Sequence, residues 1–261
     1  MKISLVLFDL EGVLVVGKQF TPLDGAVEFV NWVSESRMGY RIATNNTTDT
    51  APEISATLRN HGFPITSDRV YTPVGVGASM INDLALQEVI IIGSHSIIEE
   101  FCRQGVRQTD QPKCGAVVVG LDTNLSYRTL SLACEAISQH GAKFIALHKN
   151  RYFTDEAGKQ SPSVGATVAA IEYVTQVSPI VVGKPSSSFF LDAISGFAPE
   201  EVLMISDNAL ADLTPAKNLG IRTCLISPCE SSTQTLDRQL LFNKPDLQVE
   251  NLNELRMYLE Q

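Results

Sequence analysis

Two carboxylates and a glycine follow the first apolar run of the chain. Residues 3–8 are mostly apolar and predict a buried strand, and Asp9, Glu11 and Gly12 come directly after it. In an open α/β sheet, ligands bind beyond the carboxyl ends of the strands, so both carboxylates are candidates for nucleophilic or acid–base chemistry. Asp and Gly are also common turn residues, and a turn explains these positions equally well.

Three later predicted strands also end in polar groups. The strands 40–44, 179–182 and 202–205 lead, in that order, into Thr44 and Asn45, Lys184, and Asp207 with Asp212. A turn or a surface charge explains any one of these ends. Together they supply hydroxyl and amide donors, a cation and carboxylates, which a site that handles phosphate and a metal ion needs.

Two rival phosphate motifs fail. Gly183 and Lys184 resemble the end of a P-loop, but Ser178 replaces its first glycine and Pro185 occupies its Ser/Thr position. The stretch 75–80 lacks the third glycine of a dinucleotide fingerprint. We therefore assign both stretches to structure.

Composition excludes several classes of protein. The chain has 261 residues and a net charge of −9 without a basic run, which disfavours binding to nucleic acid or to a membrane surface. Its five cysteines form no CxxC pair, and we expect reduced thiols. No apolar stretch approaches transmembrane length, so we expect a cytoplasmic protein. The histidines share no ligand spacing, and we assign them to helix ends or the surface: His61, His95, His140 and His148.

The elements that position these residues alternate between strand and helix, which predicts an α/β fold. The pattern restarts at about residue 74, with strands at 88–92, 115–119 and 143–146 and helices at 96–104, 126–140 and 164–174. Residues 148–163 predict a loop. After 183 the alternation continues, with a helix expected to end at Leu219–Gly220.

Four motifs in this order resemble a known superfamily: DLEGVL at 9–14, ATNNT at 43–47, VVGKPS at 181–186 and MISDNALAD at 204–212. They are similar to the haloacid dehalogenase superfamily, subfamily IIA, whose members include sugar-phosphate, nucleotide and nitrophenyl phosphatases. The resemblance implies a Rossmann-like core with a parallel sheet at 1–73 and 183–261. It also implies an inserted C2-type α/β cap at 74–182, Mg²⁺, a small phosphorylated metabolite as substrate, and a homodimer formed through the cap.

The resemblance also implies a role for each motif residue. Asp9 matches the nucleophile that forms an aspartyl-phosphate and is also a metal ligand. Thr44 and the Asn45 amide match the phosphate-binding groups. Lys184 matches a catalytic cation that also binds phosphate.

The last motif and the second carboxylate complete the implied site. Asp207 matches a direct Mg²⁺ ligand, and Asp212 matches a residue that holds metal-bound water. Glu11 stands where the family usually has Asp, the general acid and base, and where a backbone carbonyl reaches the metal.

Several departures from the family pattern leave two functions open. Besides Glu11, Ser206 replaces a usual glycine, and Leu210 and Ala211 replace acidic and hydroxyl residues. The first hypothesis is a phosphatase that favours activated leaving groups, because a longer carboxylate is poorly placed as an acid. This agrees with a further resemblance, through the NRYF loop at 150–153, to the phospholysine phosphohistidine inorganic pyrophosphate phosphatase branch. The second is a catalytically impaired module that binds a phospho-ligand or a protein.

The loop at 149–159 is the candidate for selecting the leaving group. Arg151 is expected to meet an anionic substrate, and Tyr152 and Phe153 to line an apolar wall. An exposed loop with ordinary charges is the alternative.

Overall fold

The computed structural model describes residues 2–154, 159–227 and 244–260. Within these residues the strands β1 to β15 are, in chain order, Leu5–Phe8, Val15–Val16, Thr21–Pro22, Gly39–Ala43, Val70–Tyr71, Glu88–Ile92, Arg107–Gln108, Ala116–Val119, Lys143–Ala146, Tyr152–Thr154, Gln160–Pro162, Ile180–Val181, Val202–Ser206, Arg222–Ile226 and Leu247–Val249. The α-helices α1 to α9 are Ala26–Glu35, Ala51–Asn60, Pro73–Asp83, His95–Arg103, Tyr127–His140, Val164–Thr175, Ser187–Ala193, Thr214–Asn218 and Leu252–Leu259.

The chain divides into two compact units. Unit 1 consists of Met1–Thr44, Ala51–Tyr71 and Pro185–Gln261, and unit 2 consists of Asn45–Thr50 and Thr72–Lys184. The pattern restart at about residue 74 lies close to the start of the long segment of unit 2. The sequence did not indicate that the short segment Asn45–Thr50 groups with unit 2.

Unit 1 is built on a parallel sheet. Over the described residues its strand order is β15-β14-β13-β1-β4-β5, and every pairing is parallel. All four residues of β1 are buried, as expected for a continuous apolar run in a parallel sheet covered on both faces. The chain leaves β1 toward β4 on one side and returns to β13 on the other. The strand order therefore reverses between β1 and β13, which is where open α/β sheets bind ligands.

Unit 2 has a second, smaller parallel sheet. Its order in the described part of the chain is β12-β9-β8-β6-β7. Val117, Val119 and Phe144 pack in one apolar cluster with residues of α5 and α6. The predicted strands at 88–92 and 143–146 are confirmed residue for residue, and the mixed α/β fold class is confirmed by both sheets.

The prediction of a loop over 148–163 is wrong in part. Strands β10 and β11 form an antiparallel hairpin, in which Tyr152 pairs with Pro162 and Phe153 with Ser161. Both strands are only three residues long, and Gln160–Pro162 has no apolar alternation, so periodicity could not detect them.

The two ends of α5 show which signals the sequence does carry. The Ser126 hydroxyl accepts a hydrogen bond from the Thr129 backbone N–H at the N-cap, at 3.0 Å. Gly141 ends the helix in the left-handed conformation, with φ of 70°.

No helix among the residues placed by the structure is both long and apolar enough to cross a membrane.

Candidate active site

Asp9 lies at the carboxyl end of the central strand β1. Its backbone N–H donates to the Ile205 carbonyl at 2.9 Å, which continues the pairing of β1 with β13. The Leu10 N–H donates to Asp9 Oδ1 at 2.8 Å. Asp9 is 9 % exposed. The hydrogen bond from Leu10 therefore holds its carboxylate in one orientation at a nearly buried position.

Ser206 connects Asp9 to a second carboxylate. Its hydroxyl is 2.6 Å from Asp212 Oδ2 and 3.4 Å from Asp9 Oδ2, and it accepts from the Asn208 N–H at 2.9 Å. A hydroxyl has one proton to donate, and the shorter distance assigns that proton to Asp212. The residue that the sequence marked only as a departure from glycine therefore lies between the two carboxylates.

An unusual helical turn places Asp212. The helix expected to end at Leu219–Gly220 is α8, and a π-helical turn at Ala209–Leu213 precedes it. The Asn208 side chain accepts from the Ala211 N–H at 3.0 Å at the start of this turn. Turns of this kind are frequent at functional sites, and here the turn leaves Asp212 buried beside Ser206.

Gly12 makes room for Asp207. Its φ is +82°, and a Cβ at this position would overlap Asp207 Oδ2 and lie 2.6 Å from Asp207 Cγ. The Asp207 carboxylate therefore lies directly against the backbone that follows Glu11. The Glu11 side chain is exposed, in a turn that Gly12 closes by donating its N–H to the Val15 carbonyl at 2.9 Å.

The oxygen donors of this site are of the kind that Mg²⁺ takes. Among the described residues, no three His, Cys, Asp or Glu side chains form a group that could hold a metal ion. Mg²⁺ keeps several waters and is commonly held by one or two carboxylates, so Asp9 and Asp207 with the Glu11 carbonyl are sufficient. The space that the absent Cβ of Gly12 leaves for Asp207 supports this fit.

Thr44 lies at the end of β4, the strand beside β1. Its side chain is buried, and its backbone N–H donates to the Tyr71 carbonyl at 3.1 Å. Like Asp9, it follows a strand of the unit 1 sheet at the carboxyl end.

Asn45 and Lys184 are joined within unit 2. Asn45 Nδ2 donates to the Lys184 carbonyl at 2.9 Å, and the Lys184 N–H donates to Asn45 Oδ1 at 2.8 Å. The Asn45 side chain thus fixes the backbone of Lys184, so a phosphate contact from Asn45 would come from its backbone amide. Gly183 permits this pair, because a Cβ there would lie 2.6 Å from Asn45 Oδ1.

The hairpin carries the other candidate residues. Arg151 and Tyr152 are exposed, and Phe153 is half-buried. Tyr152 and Phe153 are consecutive in β10, so their side chains point to opposite faces and only one of them can line a given wall. Neighbouring Lys149 is paired with Glu172 at 2.6 Å, which offsets its charge.

His148 was assigned wrongly from the sequence. It is 4 % exposed, and burial lowers its pKa to about 4. Its Nε2 is 3.3 Å from Thr47 Oγ1, and its Nδ1 accepts from the Asn150 N–H at 3.2 Å. The available signal was its position two residues after the apolar strand β9, next to the buried Leu147.

The cysteines agree with reduced thiols where the structure describes them. Cys102, Cys114, Cys134 and Cys224 are free, and Cys229 lies outside the described residues. Burial raises the pKa of Cys224 to about 12 and raises those of Cys114 and Cys134. These three thiols are therefore protonated at neutral pH and poor nucleophiles.

Known proteins resemble this chain along most of its length. A haloacid dehalogenase-like hydrolase model matches residues 6–107, and a HAD-hydrolase-like model matches residues 181–255. Haloacid dehalogenase-like hydrolase domain-containing protein 2 of Mus musculus is 32% identical over 85% of this chain and 83% of its own length. The phospholysine phosphohistidine inorganic pyrophosphate phosphatase of Xenopus laevis is 31% identical over 85% of this chain and 82% of its own.

Solved structures share the fold. A p-nitrophenyl phosphatase from Archaeoglobus fulgidus superposes with a TM-score of 0.89 at 25% identity, over 98% of both chains. A glycerol phosphate phosphatase from Mycobacterium tuberculosis, in complex with magnesium, gives 0.81 at 25% identity over 97% of this chain and 76% of its own. The motifs, the sheet order and these relatives together place the chain among the haloacid dehalogenase-like hydrolases.

Proposed function

We propose that this chain is a Mg²⁺-dependent phosphatase that hydrolyses a small phosphorylated metabolite through an aspartyl-phosphate on Asp9. The observation that carries the proposal is the Asp9 carboxylate, which is nearly buried at the strand-order reversal and accepts a hydrogen bond from the Leu10 N–H. An oriented carboxylate at this point is suited to nucleophilic attack on phosphorus. The relatives named as phosphatases support the same reaction class.

The reaction divides into two displacements. In the first, an Asp9 carboxylate oxygen attacks phosphorus, the bond to the leaving oxygen breaks, and that oxygen takes its electron pair and a proton from Glu11. In the second, water attacks the phosphorus of the acyl-phosphate and gives a proton to Glu11. Inorganic phosphate leaves and Asp9 is regenerated.

We assign each of the other groups to the phosphate or to the metal ion. In unit 2 we assign the Lys184 ammonium and the Asn45 backbone amide to the phosphate, and in unit 1 we assign the Thr44 hydroxyl to it. Asp9, Asp207 and the Glu11 carbonyl would hold Mg²⁺, which neutralises charge on the phosphoryl group. Ser206 keeps Asp212 in a fixed orientation beside them.

The test is turnover of p-nitrophenyl phosphate with and without Mg²⁺, in the unmodified protein and in Asp9→Asn. We expect Mg²⁺-dependent turnover and a loss of at least about 1,000-fold in kcat for Asp9→Asn, because the covalent route is removed. Asp24→Asn, which changes an exposed carboxylate of the same unit, is the matched control and should retain activity. Thermal unfolding of each variant confirms that it is folded.

A second function is favoured by one set of residues. Glu11, Leu210 and Ala211 replace groups that the family resemblance leads us to expect, and this agrees with a catalytically impaired binding module. A folded protein that binds inorganic phosphate but turns over no p-nitrophenyl phosphate in the presence of Mg²⁺ would support this function and reject the first.

A further inference from the structure

The segment Asn45–Thr50 is fixed to the rest of unit 2 at three points. Asn45 makes its two hydrogen bonds with the Lys184 backbone. The Thr47 hydroxyl contacts His148, and the Ser96 hydroxyl donates to the Thr48 carbonyl at 3.1 Å. Of these contacts, only that with His148 leads directly toward the hairpin.

The tautomer of His148 follows from its contacts. Burial lowers the pKa of the ring to about 4, so it is neutral near pH 7. The Asn150 N–H donates to Nδ1, so Nδ1 carries no proton and the ring proton is on Nε2. Nε2–H therefore donates to Thr47 Oγ1, and both residues are buried.

The other side of His148 is the base of the hairpin. The Asn150 carbonyl accepts from the Gly165 N–H at 2.9 Å, and the Arg151 carbonyl accepts from the Ser163 N–H at 3.1 Å. Gly165 allows this close approach, since a Cβ there would lie 2.6 Å from the Asn150 carbonyl oxygen. The ring of His148 thus bridges Thr47 to a segment whose backbone is itself held by two hydrogen bonds.

We propose that His148 is a positioning residue, which fixes the phosphate-binding segment Asn45–Thr50 to the base of the hairpin that carries Arg151. The proposal rests on the proposed function, because it takes the Asn45 amide as a phosphate donor. Asn45 and Thr47 are two residues apart, so movement of Thr47 moves the Asn45 amide. His148 acts through this backbone and does not itself contact phosphate.

Two substitutions separate the two hydrogen bonds of the ring. His148→Asn places an oxygen near the position of Nδ1 and keeps the acceptor for Asn150, but it does not reach Thr47. His148→Gln places an amide nitrogen near Nε2 and keeps the donor to Thr47, while it loses the acceptor for Asn150, which stays linked to residue 148 through the backbone. Thr47→Val removes the acceptor with little change in volume, and Thr47→Ser keeps it.

The measurement is the inhibition constant of inorganic phosphate against p-nitrophenyl phosphate turnover, with kcat and KM, on variants shown to be folded. His148→Asn and Thr47→Val should each raise the phosphate inhibition constant and KM by roughly 3- to 10-fold, the size expected from one buried hydrogen bond, with kcat changed less. Thr47→Ser and His148→Gln should stay within about 2-fold of the unmodified protein. The double variant His148→Asn/Thr47→Val should lose no more than the larger single change, because both break the same bond.

The outcomes distinguish the two proposals. Unchanged phosphate inhibition in folded His148→Asn and Thr47→Val overturns the positioning role, even if both variants are less stable. Equal weakening by Thr47→Ser and Thr47→Val also overturns it, since the hydroxyl would then be irrelevant. An unmodified protein that neither turns over p-nitrophenyl phosphate nor binds phosphate rejects the proposed function instead.

Discussion

Glu11 occupies the position from which a proton must reach the leaving group in the proposed reaction. Its side chain is exposed, whereas Asp9, two residues before it, is nearly buried. A carboxylate that is one methylene longer displaces the proton donor, and a misplacement of about 1 Å can cost about 100-fold in rate. The attack of Asp9 on phosphorus needs no proton from Glu11, but protonation of the leaving oxygen and activation of the attacking water depend on where this carboxylate lies.

We therefore expect Glu11→Asp to discriminate between leaving groups. It should raise kcat/KM for an alkyl phosphate such as glycerol phosphate by about 10-fold or more, because a well-placed acid is worth about 10² to 10⁴ in rate. The kcat/KM for p-nitrophenyl phosphate should change little, since it reports formation of the aspartyl-phosphate and nitrophenolate leaves without a proton. The assay is steady-state kinetics on both substrates with Mg²⁺. A loss on both substrates would show that Glu11 already acts as the acid.

At the scale of elements, the exposed Arg151 lies at the base of the hairpin β10–β11, where the backbone is hydrogen-bonded. Arg151 is exposed, while its carbonyl is held by the Ser163 N–H. Lys149 is already paired with Glu172. Of these two cations, Arg151 is the one suited to meet a second anionic group on a substrate.

Arg151→Ala should change specificity more than turnover. For phosphates that carry a further carboxylate or phosphate, we expect KM to rise by roughly 5-fold, in the range of a partly exposed charge contact. KM for p-nitrophenyl phosphate should stay within error. Arg128→Ala, an exposed arginine on α5, is the control for a general change in charge. A specificity profile that Arg151→Ala leaves unaltered would show that the hairpin does not select the substrate.

The elements differ in how far the sequence predicts them. Continuous apolar runs predicted β6 and β9 to the residue, and Ser126 and Gly141 marked the ends of α5, because these signals are local. The π-helical turn depends on hydrogen bonds of Asn208, which have no periodic signature. The Asn45–Lys184 pair joins residues 139 positions apart, and only the tertiary fold brings them together.

The candidate site, like the elements, could be predicted from the sequence only where the signal is local. The sequence identified the residue types of Asp9, Thr44, Lys184 and Asp207 at strand ends. It did not identify the roles of Ser206 or His148, because a serine between two carboxylates and a buried histidine are recognised only from their neighbours.

At the scale of the whole molecule, the buried ring of His148 makes the free energy of unfolding depend on pH. The folded protein keeps the ring neutral down to about pH 4, whereas an unfolded histidine takes up a proton below about 6.5. The unfolded state therefore binds more protons in this window, and the free energy of unfolding falls as pH drops from about 6.5 to about 4. The shift corresponds to at most about 3 kcal/mol from this residue.

Urea unfolding at a series of pH values measures this dependence. Other groups also titrate, so the free energy of unfolding is compared between the unmodified protein and His148→Gln, which has no titrating ring. The relevant quantity is the difference between the two proteins in how steeply this free energy changes with pH. We expect the variant to show the smaller decrease between about pH 6.5 and about 4. Parallel pH dependences in the two proteins would contradict the neutral buried ring.

Unit 2 is built from two separate stretches of the chain, so it cannot be transferred as one piece. Asn45–Thr50 belong to unit 2, although the residues on both sides of this segment belong to unit 1. A fragment that spans only residues 72–184 therefore leaves behind Asn45 and Thr47, the partners of the Lys184 backbone and of the His148 ring. A single contiguous insert of residues 72–184 is therefore not the whole of unit 2, because the six residues 45–50 must come with it.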